Sequence, residues 1–506
     1  MSFPVSRRAF VAGATALPFL RIEGARAVTP GVLTFGLSSF PPSIKPFANT
    51  GTAAATVKLM IYRGLLSYGK DGLLRGELAE SWAPDGQTAW VFKLRDAVFQ
   101  NGEKVTSADV KWTIEQIADE KSTAFFRKEM QGVAAVETPD DKTVRIVTRE
   151  PNVTIPRLMA SYHLPIISRA SDGGEPVGAG PFRIAASERG VSIELEAFDR
   201  FFKPGLPKLK GIKAVAYKDE NLRVAALQAG DVDLIEYVPW QSMEAISNDP
   251  ALVLDTTDGP FMFLVFNGAK RPFDDARVRR AVAHAIRRED IVKAAFYGRG
   301  STLEHLPIAP ESEFFNPEFK NAWNYDPELS KKLLADAGLG GGFTCTLLST
   351  AQYGMHKNTA EVVQQYLMAV GINAQLNLPD WATRVSLGNK GQYDIAVMGT
   401  AADSNDPDGL SNFIDGTLAP SYVRSHGLKI PRLTELLAAG RTEFDTEKRK
   451  AIYKEMEKVA LEEVPIAGLS WRSQGYAMRK GVSGFKNLPG ALTFYSGTTF
   501  EETSIA

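Results

Sequence analysis

From residue 270 onward the chain switches repeatedly between short apolar runs and stretches of helical spacing. That alternation restricts it to an α/β architecture built from crossover units. Asp274 or Asp275 opens a helix with Val278, Val282, Ala285 and Ile286 as its apolar stripe, and Arg280, His284 and Arg287 on the other face read as solvated. Asp326 and Pro327 are the N-cap and first position of a helix that Gly338 stops. Phe343-Thr-Cys-Thr-Leu-Leu reads as a strand, residues 359–370 as a helix buried through Val362, Val363, Tyr366, Leu367 and Val370, and Ile372 opens another strand. Pro379-Asp-Trp381 turns into a short helix, and Tyr393-Asp-Ile-Ala-Val-Met is a further strand. A long helix over 446–462 and two short strands or loops, 466–471 and 476–478, complete the pattern.

The last strand of this series feeds a loop, Met398 to Asp415, that presents Asp403, Asp406, Asp408 and Asp415 among the turn formers Asn405, Pro407 and Gly409. Packing does not require so many carboxylates, and their mutual repulsion calls for something cationic nearby. An ordinary solvated loop, a calcium loop and a site holding an amine all meet that description. Counting from Asp403, the fifth position is Pro407 and the twelfth is Ile414, so the EF-hand spacing fails. Histidines 163, 284, 305, 356 and 426 show no ligand spacing, and no C-x-x-C is present, so no metal or cofactor is expected. Neither a G-x-S-x-G elbow nor a phosphate-binding G-x-x-x-x-G-K-S/T loop occurs, which leaves no sequence support for an enzyme.

The 506 residues are 44% hydrophobic and 23% charged, with a formal net charge of -1, which argues against a nucleic-acid or anionic-membrane surface. Ser6-Arg7-Arg8-Ala9-Phe10-Val11 resembles a twin-arginine export motif, followed by a modest apolar run and by Ala25-Arg26-Ala27, a small-x-small cleavage pattern. Residues 1–27 are therefore expected to be a cleaved signal peptide. Their loss takes four arginines and one glutamate and moves the net charge from -1 to -4. The single cysteine, Cys345, sits in a strand as a buried thiol and cannot form an internal disulfide. The expected location is the periplasm.

Ahead of residue 270, Leu78-Ala-Glu-Ser-Trp82 precedes a turn at Pro84-Asp85-Gly86 and a strand with Trp90, Phe92 and Leu94 on one face. Asn101-Gly102 turns again, and Thr106 with Asp109 forms a capping box for a helix buried through Val110, Ile114 and Ile117. This whole segment resembles the signature of the family 5 solute-binding proteins of ABC importers, the dipeptide- and oligopeptide-binding proteins. Val177-Gly-Ala-Gly-Pro-Phe182, the run from Phe266-Asn267 through Pro272-Phe273 to Arg277-Val278-Arg279, and Tyr325-Asp-Pro327 are similar to further family elements.

The resemblance implies a two-lobed α/β periplasmic binding protein. Residues 28–75, 165–258 and 482–506 would form the first lobe, 76–164 an extra subdomain of it, and 259–481 the second lobe. It implies that Asp403 pairs with a ligand ammonium, that Asp406-Pro407-Asp408 shapes the loop, that Trp381 lines the cleft, and that Thr50-Gly51-Thr52 offers backbone groups. For Thr50-Gly51-Thr52 a helix N-terminus capped by Thr is an equal reading. Tyr353, Asp406 and Arg384 complete the candidate ligand-binding set. His356, Lys357 and Arg384 are candidates for a carboxylate partner by position only, and a solvated side chain is the first reading of each. Thr400 stands where relatives carry Trp, which opens the choice of ligand. The implied function is capture of a short peptide or amino-acid-derived compound with a free ammonium, by lobe closure, for delivery to an inner-membrane ABC permease. A sugar, opine or metal chelate is the alternative ligand, and an exported hydrolase or chaperone the alternative from another class. A monomer without nucleic-acid or membrane partners is expected.

Overall fold

The computed structural model describes residues 30–48, 51–171, 175–310, 312–402, 404 and 406–506. Residues 1–29, where the leader is expected, and Thr50, Asp403 and Asn405 lie outside them. Among the described residues no helix is long and apolar enough to cross a membrane.

Two long antiparallel strands, Leu252–Phe266 and Ile466–Arg479, organise the molecule. At one end Met478 and Ala477 pair with Leu234 and Ile235, which lie parallel to Val32–Leu37. Beyond that come Gly211–Ala216, Ser192–Ala197 and Phe182–Glu188. At the other end Phe261–Phe266 pairs antiparallel with Ile395–Thr400, followed by Phe343–Leu348 and Ile372–Asn377 in parallel. The mixed sheet of eleven strands thus passes from one lobe to the other through just these two strands. Composition follows burial: residues 252–259 include exposed positions, whereas Pro260–Phe266 is an unbroken buried run, as a strand covered on both faces requires. The two C-terminal segments expected over 466–471 and 476–478 are one continuous strand.

At the crossing, Asp258 pairs with Ser473 and Phe261 with Trp471, so Gly259 and Pro260 stand opposite the single residue Arg472. Gly259 has φ +147°, and a Cβ there would lie 2.2 Å from the carbonyl carbon of Gly490. Only glycine fits this approach.

Three hydrophobic cores result. One surrounds the crossover units after residue 260, with Phe263, Ile286, Leu347, Val397 and Tyr453. A second holds Leu33, Phe35, Val57, Leu195 and Ile212. The third fills the space under a four-stranded antiparallel sheet in the order Ala79–Pro84, Ala89–Leu94, Thr143–Thr148, Val133–Asp140. Its helix Ser107–Ala118 carries the expected capping box, with Thr106 N–H donating to Asp109 at 3.0 Å, and buries Val110, Ile114 and Ile117. Asp275 and Asp326 cap their helices as expected. His284 is buried, its Nδ1 2.9 Å from the Asn324 carbonyl, rather than solvated with Arg280 and Arg287. The helix expected over 359–370 begins earlier and spans Gly354–Ala369. Its buried face is Met355, His356, Thr359, Ala360, Val363 and Leu367, while Val362 and Tyr366 are half-buried.

Candidate ligand-binding site

A cavity lies where the three cores meet, with about 920 Å³ of empty space, part of it open to solvent. It is lined by Ser38, Ser39, Gly51, Thr52, Tyr237 and Phe494, by Phe125 and Tyr162, and by Tyr353, Met355, His356, Trp381, Met398–Ala402 and Tyr422. Such a pocket, rich in aromatic rings and lined about as much by polar as by apolar groups where the cores join, is a usual place for a small-molecule site.

Each wall is fixed from behind. Glu236 is fully buried and accepts from the Ser38 N–H at 2.9 Å, the Ser38 hydroxyl at 2.7 Å and the Thr56 hydroxyl at 3.2 Å, which sets the Ser38–Ser39 loop. Burial raises its carboxyl above the ordinary range. The next residue, Tyr237, has φ +49°, a strained conformation for a side chain of this size that such sites tolerate when their surroundings impose it. Its ring stacks on Phe494 with centroids 6.2 Å apart, and its hydroxyl lies 3.3 Å from that of Thr52.

Helix Thr52–Ile61 begins at the cavity with Gly51 as its N-cap at φ +101°, so the cap position expected of a Thr is taken by glycine. A Cβ on Gly51 would lie 3.7 Å from Trp381 Nε1, which measures how closely the lobes approach. Asp380 caps helix Trp381–Asn389 by accepting from Thr383 N–H at 3.0 Å, and this holds Trp381 edge-on between Tyr353 and Tyr422, with centroids at 5.5 and 5.9 Å.

Of the candidate residues, Gly51, Thr52, Tyr353 and Trp381 come together in this wall, together with Thr400. Arg384 and Asp406 do not line it. Arg384 is wholly buried beneath Trp381 and Tyr422, its guanidinium 5.7 and 5.6 Å from their rings, so the solvated reading does not hold for it. It donates to the Val397 carbonyl at 2.8 Å and to the Met398 sulfur, and burial lowers it to about 10. His356 is likewise buried in the wall, kept neutral by burial and then by Arg384 and Arg472. Lys357 is exposed and 3.8 Å from Glu361.

The acidic loop finds its cations in the protein. Arg449 makes a bidentate pair with Asp406 at 2.6 and 2.7 Å, and Arg157 of the subdomain adds a contact at 3.1 Å. Burial alone would raise the Asp406 carboxyl, but these two arginines hold it below the usual carboxylate range. Asp408 pairs with Arg441 at 2.6 Å, and Asp415 accepts from the Thr417 hydroxyl at 2.6 Å with Lys128 at 3.7 Å. Asp403 and Thr50 lie outside the described residues.

Ser38, Tyr237, Tyr422, Phe494 and Arg472 escaped the sequence reading. One signal was available. Glu236 is a charged residue inside the otherwise apolar strand-like run Leu234–Val238, where burial has to be compensated.

A pocket between two lobes joined by paired strands defines a two-lobed solute-binding protein. The comparisons agree. A family model described as the bacterial extracellular solute-binding proteins, family 5, matches residues 74–419. The structure of AgaA from A. tumefaciens R10 in complex with agropinic acid is 40% identical with a TM-score of 0.91, covering 94% of this chain and 99% of that one. MoaA from the same source, in complex with mannopinic acid, is 26% identical with a TM-score of 0.83, covering 94% and 99%. The glutathione-binding protein GsiB of Escherichia coli K12 is 26% identical over 481 residues, 92% of each chain. The chain therefore belongs to family 5 of the bacterial extracellular solute-binding proteins, the binding components of ABC importers, and acts by binding rather than by catalysis.

Proposed function

We propose that this chain is a periplasmic receptor for an amino-acid-derived solute, of the opine or short-peptide kind, which it encloses between its lobes and delivers to an inner-membrane ABC permease. The observation that carries this reading is the aromatic cavity itself, walled by Tyr237 and Phe494 from one lobe and Tyr353, Trp381 and Tyr422 from the other. A ligand between them touches both lobes at once, so it binds the closed state better than the open one and shifts the population toward closure. AgaA, solved with agropinic acid, supports an opine-like compound. Residues 28–75, 165–258 and 482–506 act as the first lobe, 76–164 as its subdomain and 259–481 as the second lobe, turning about the crossing strands. The leader at residues 1–27 directs export and is removed near Ala27.

Asp403 supplies the acidic partner of a ligand ammonium or amine. Ala401 and Ala402, just before it, line the cavity, and Asp406, Asp408 and Asp415 are each occupied by protein cations or hydroxyls. Titration of the wild type with agropinic acid and with glutathione, followed by calorimetry, tests the class of solute. Asp403→Ala should abolish the thermal stabilisation given by whichever compound binds. Unchanged affinity in that variant removes Asp403 from the site.

A further inference from the structure

Three cations stand behind the aromatic walls, and none forms an ion pair among the described residues. Lys58, 1% exposed, lies under Tyr162 at 5.6 Å and donates to the Ala48 carbonyl at 2.6 Å. Arg384 backs Trp381 and Tyr422, and its Nε has no partner. Arg472, wholly buried at the crossing of the two long strands, backs Tyr237 at 5.5 Å and Trp240 at 5.6 Å. Among the described residues its acceptors are the Met355 sulfur at 2.8 Å and Gln474 Oε1 at 3.1 Å, leaving Nε and Nη2 unpartnered.

Other buried guanidinium groups of the protein are treated differently. Arg449 meets Asp406, and Arg63 meets Glu77 and Glu501. Arg223 donates to three backbone carbonyls and feels Glu220 and Glu236. Arg288 donates to four carbonyls and feels Glu304. Arg472 has no carbonyl acceptor among the described residues, and the groups that separate it and Arg384 from the cavity are thioethers and rings: Met355, Met398, Tyr237 and Trp381 all line the wall. A buried cation without a counter-charge is costly to a fold and is retained where a charge arrives from outside.

Resting on the receptor reading above, we propose that Arg384 and Arg472, assisted by Lys58, make the cavity selective for a ligand bearing a carboxylate, the ligand anion being the counter-charge that the protein omits. The three are positioning residues. Arg384 and Arg472 act through the ring and thioether wall as a fixed positive field, which a site shielded from water and salt weakens little; Lys58, which burial brings down to about 7, adds its charge only at and below neutral pH. A ligand ammonium facing Asp403 at one end is compatible with a carboxylate held at the other.

The test uses agropinic acid and its amide, in which the carboxylate is neutralised, against the full mature chain. The wild type should bind the acid at least about tenfold more tightly than the amide. Arg384→Met and Arg472→Met should each weaken the acid on the order of tenfold while leaving the amide unaffected. The ligand-free melting temperature of both variants should stay level or rise, because a buried unpaired charge is replaced by an apolar side chain of similar reach. Equal affinity for acid and amide overturns the inference, and so does a lower ligand-free melting temperature in both variants, which would make the arginines structural. If neither compound binds the wild type, the solute class proposed above fails, and the melting temperatures alone then decide whether the arginines are held for a ligand.

Discussion

Lys58 shows how a single side chain ties fold to conditions. Burial lowers its ammonium from 10.5 to about 7. Between those values the unfolded chain carries a proton that the folded chain has lost, so this residue makes stability rise as pH climbs from about 7 to about 10.5. Below pH 7 both states are charged and the desolvation cost is present in full. Lys58→Met should therefore stabilise the protein at pH 6, on the order of a few kcal/mol, and flatten that rise; urea unfolding from pH 6 to 10 reads both. Asp406 behaves oppositely. Removing it leaves Arg449 and Arg157 facing each other across a buried site, so Asp406→Ala should cost about 3–5 kcal/mol in unfolding free energy whether or not ligand is present. Asp403→Ala should cost little without ligand, and the contrast separates the structural carboxylate from the binding one.

At the scale of elements, the strand crossing is set by one glycine. Gly259→Val would place a side chain against the Gly490 backbone in a φ region that β-branched residues avoid, and should destabilise by about 1–3 kcal/mol. An unfolding midpoint equal to that of the wild type would show that the crossing is slack. In helix Thr446–Glu463 burial raises Glu457 to about 7, so between about pH 4.5 and 7 the folded state holds the extra proton and stability falls as pH rises. Glu457→Gln should remove that slope from a melting-temperature profile.

Elements with local signals were legible in the sequence: the Thr106–Asp109 capping box, the Asp326-Pro327 helix start and the alternation after residue 270. What escaped depends on contacts distant in the chain. The helix at Gly354 starts early because Met355 and His356 are buried by the cavity wall, which no local cap announces. The site was legible only in part, for a related reason. Trp381 and Gly51 carry local signals, a capped helix and a helix N-terminus, whereas Tyr237 and Arg472 meet through strand pairings hundreds of residues apart. The acidic loop was visible as a surplus of charge, but its partners Arg157, Arg441 and Arg449 sit on other elements.

In the whole molecule the lobes touch both at the hinge and at the cleft's far rim. Arg157 reaches Asp406, Lys128 reaches Asp415, Trp90 stacks on Phe444 at 6.5 Å, and Val153 N–H donates to the Arg441 carbonyl at 2.9 Å. These contacts join residues 90–157 to residues 406–444, and the lobe opening proposed above would break them. Each pair joins a half-exposed cation to a buried carboxylate that keeps other partners, Arg449 for Asp406 and Thr417 for Asp415, so Arg157→Ala with Lys128→Ala should shift the equilibrium toward the open form by a few-fold rather than abolish closure. Small-angle scattering should show a larger radius of gyration for the double variant at sub-saturating ligand. The central claim, that this chain holds a small solute in the cavity between Tyr237 and Trp381, is tested most directly by native mass spectrometry of protein isolated from the periplasm without denaturation. The account predicts a non-covalent small-molecule adduct that is released on unfolding and lost in Trp381→Ala. A wild-type spectrum showing the bare chain alone, or an adduct that survives both unfolding and the substitution, would contradict it.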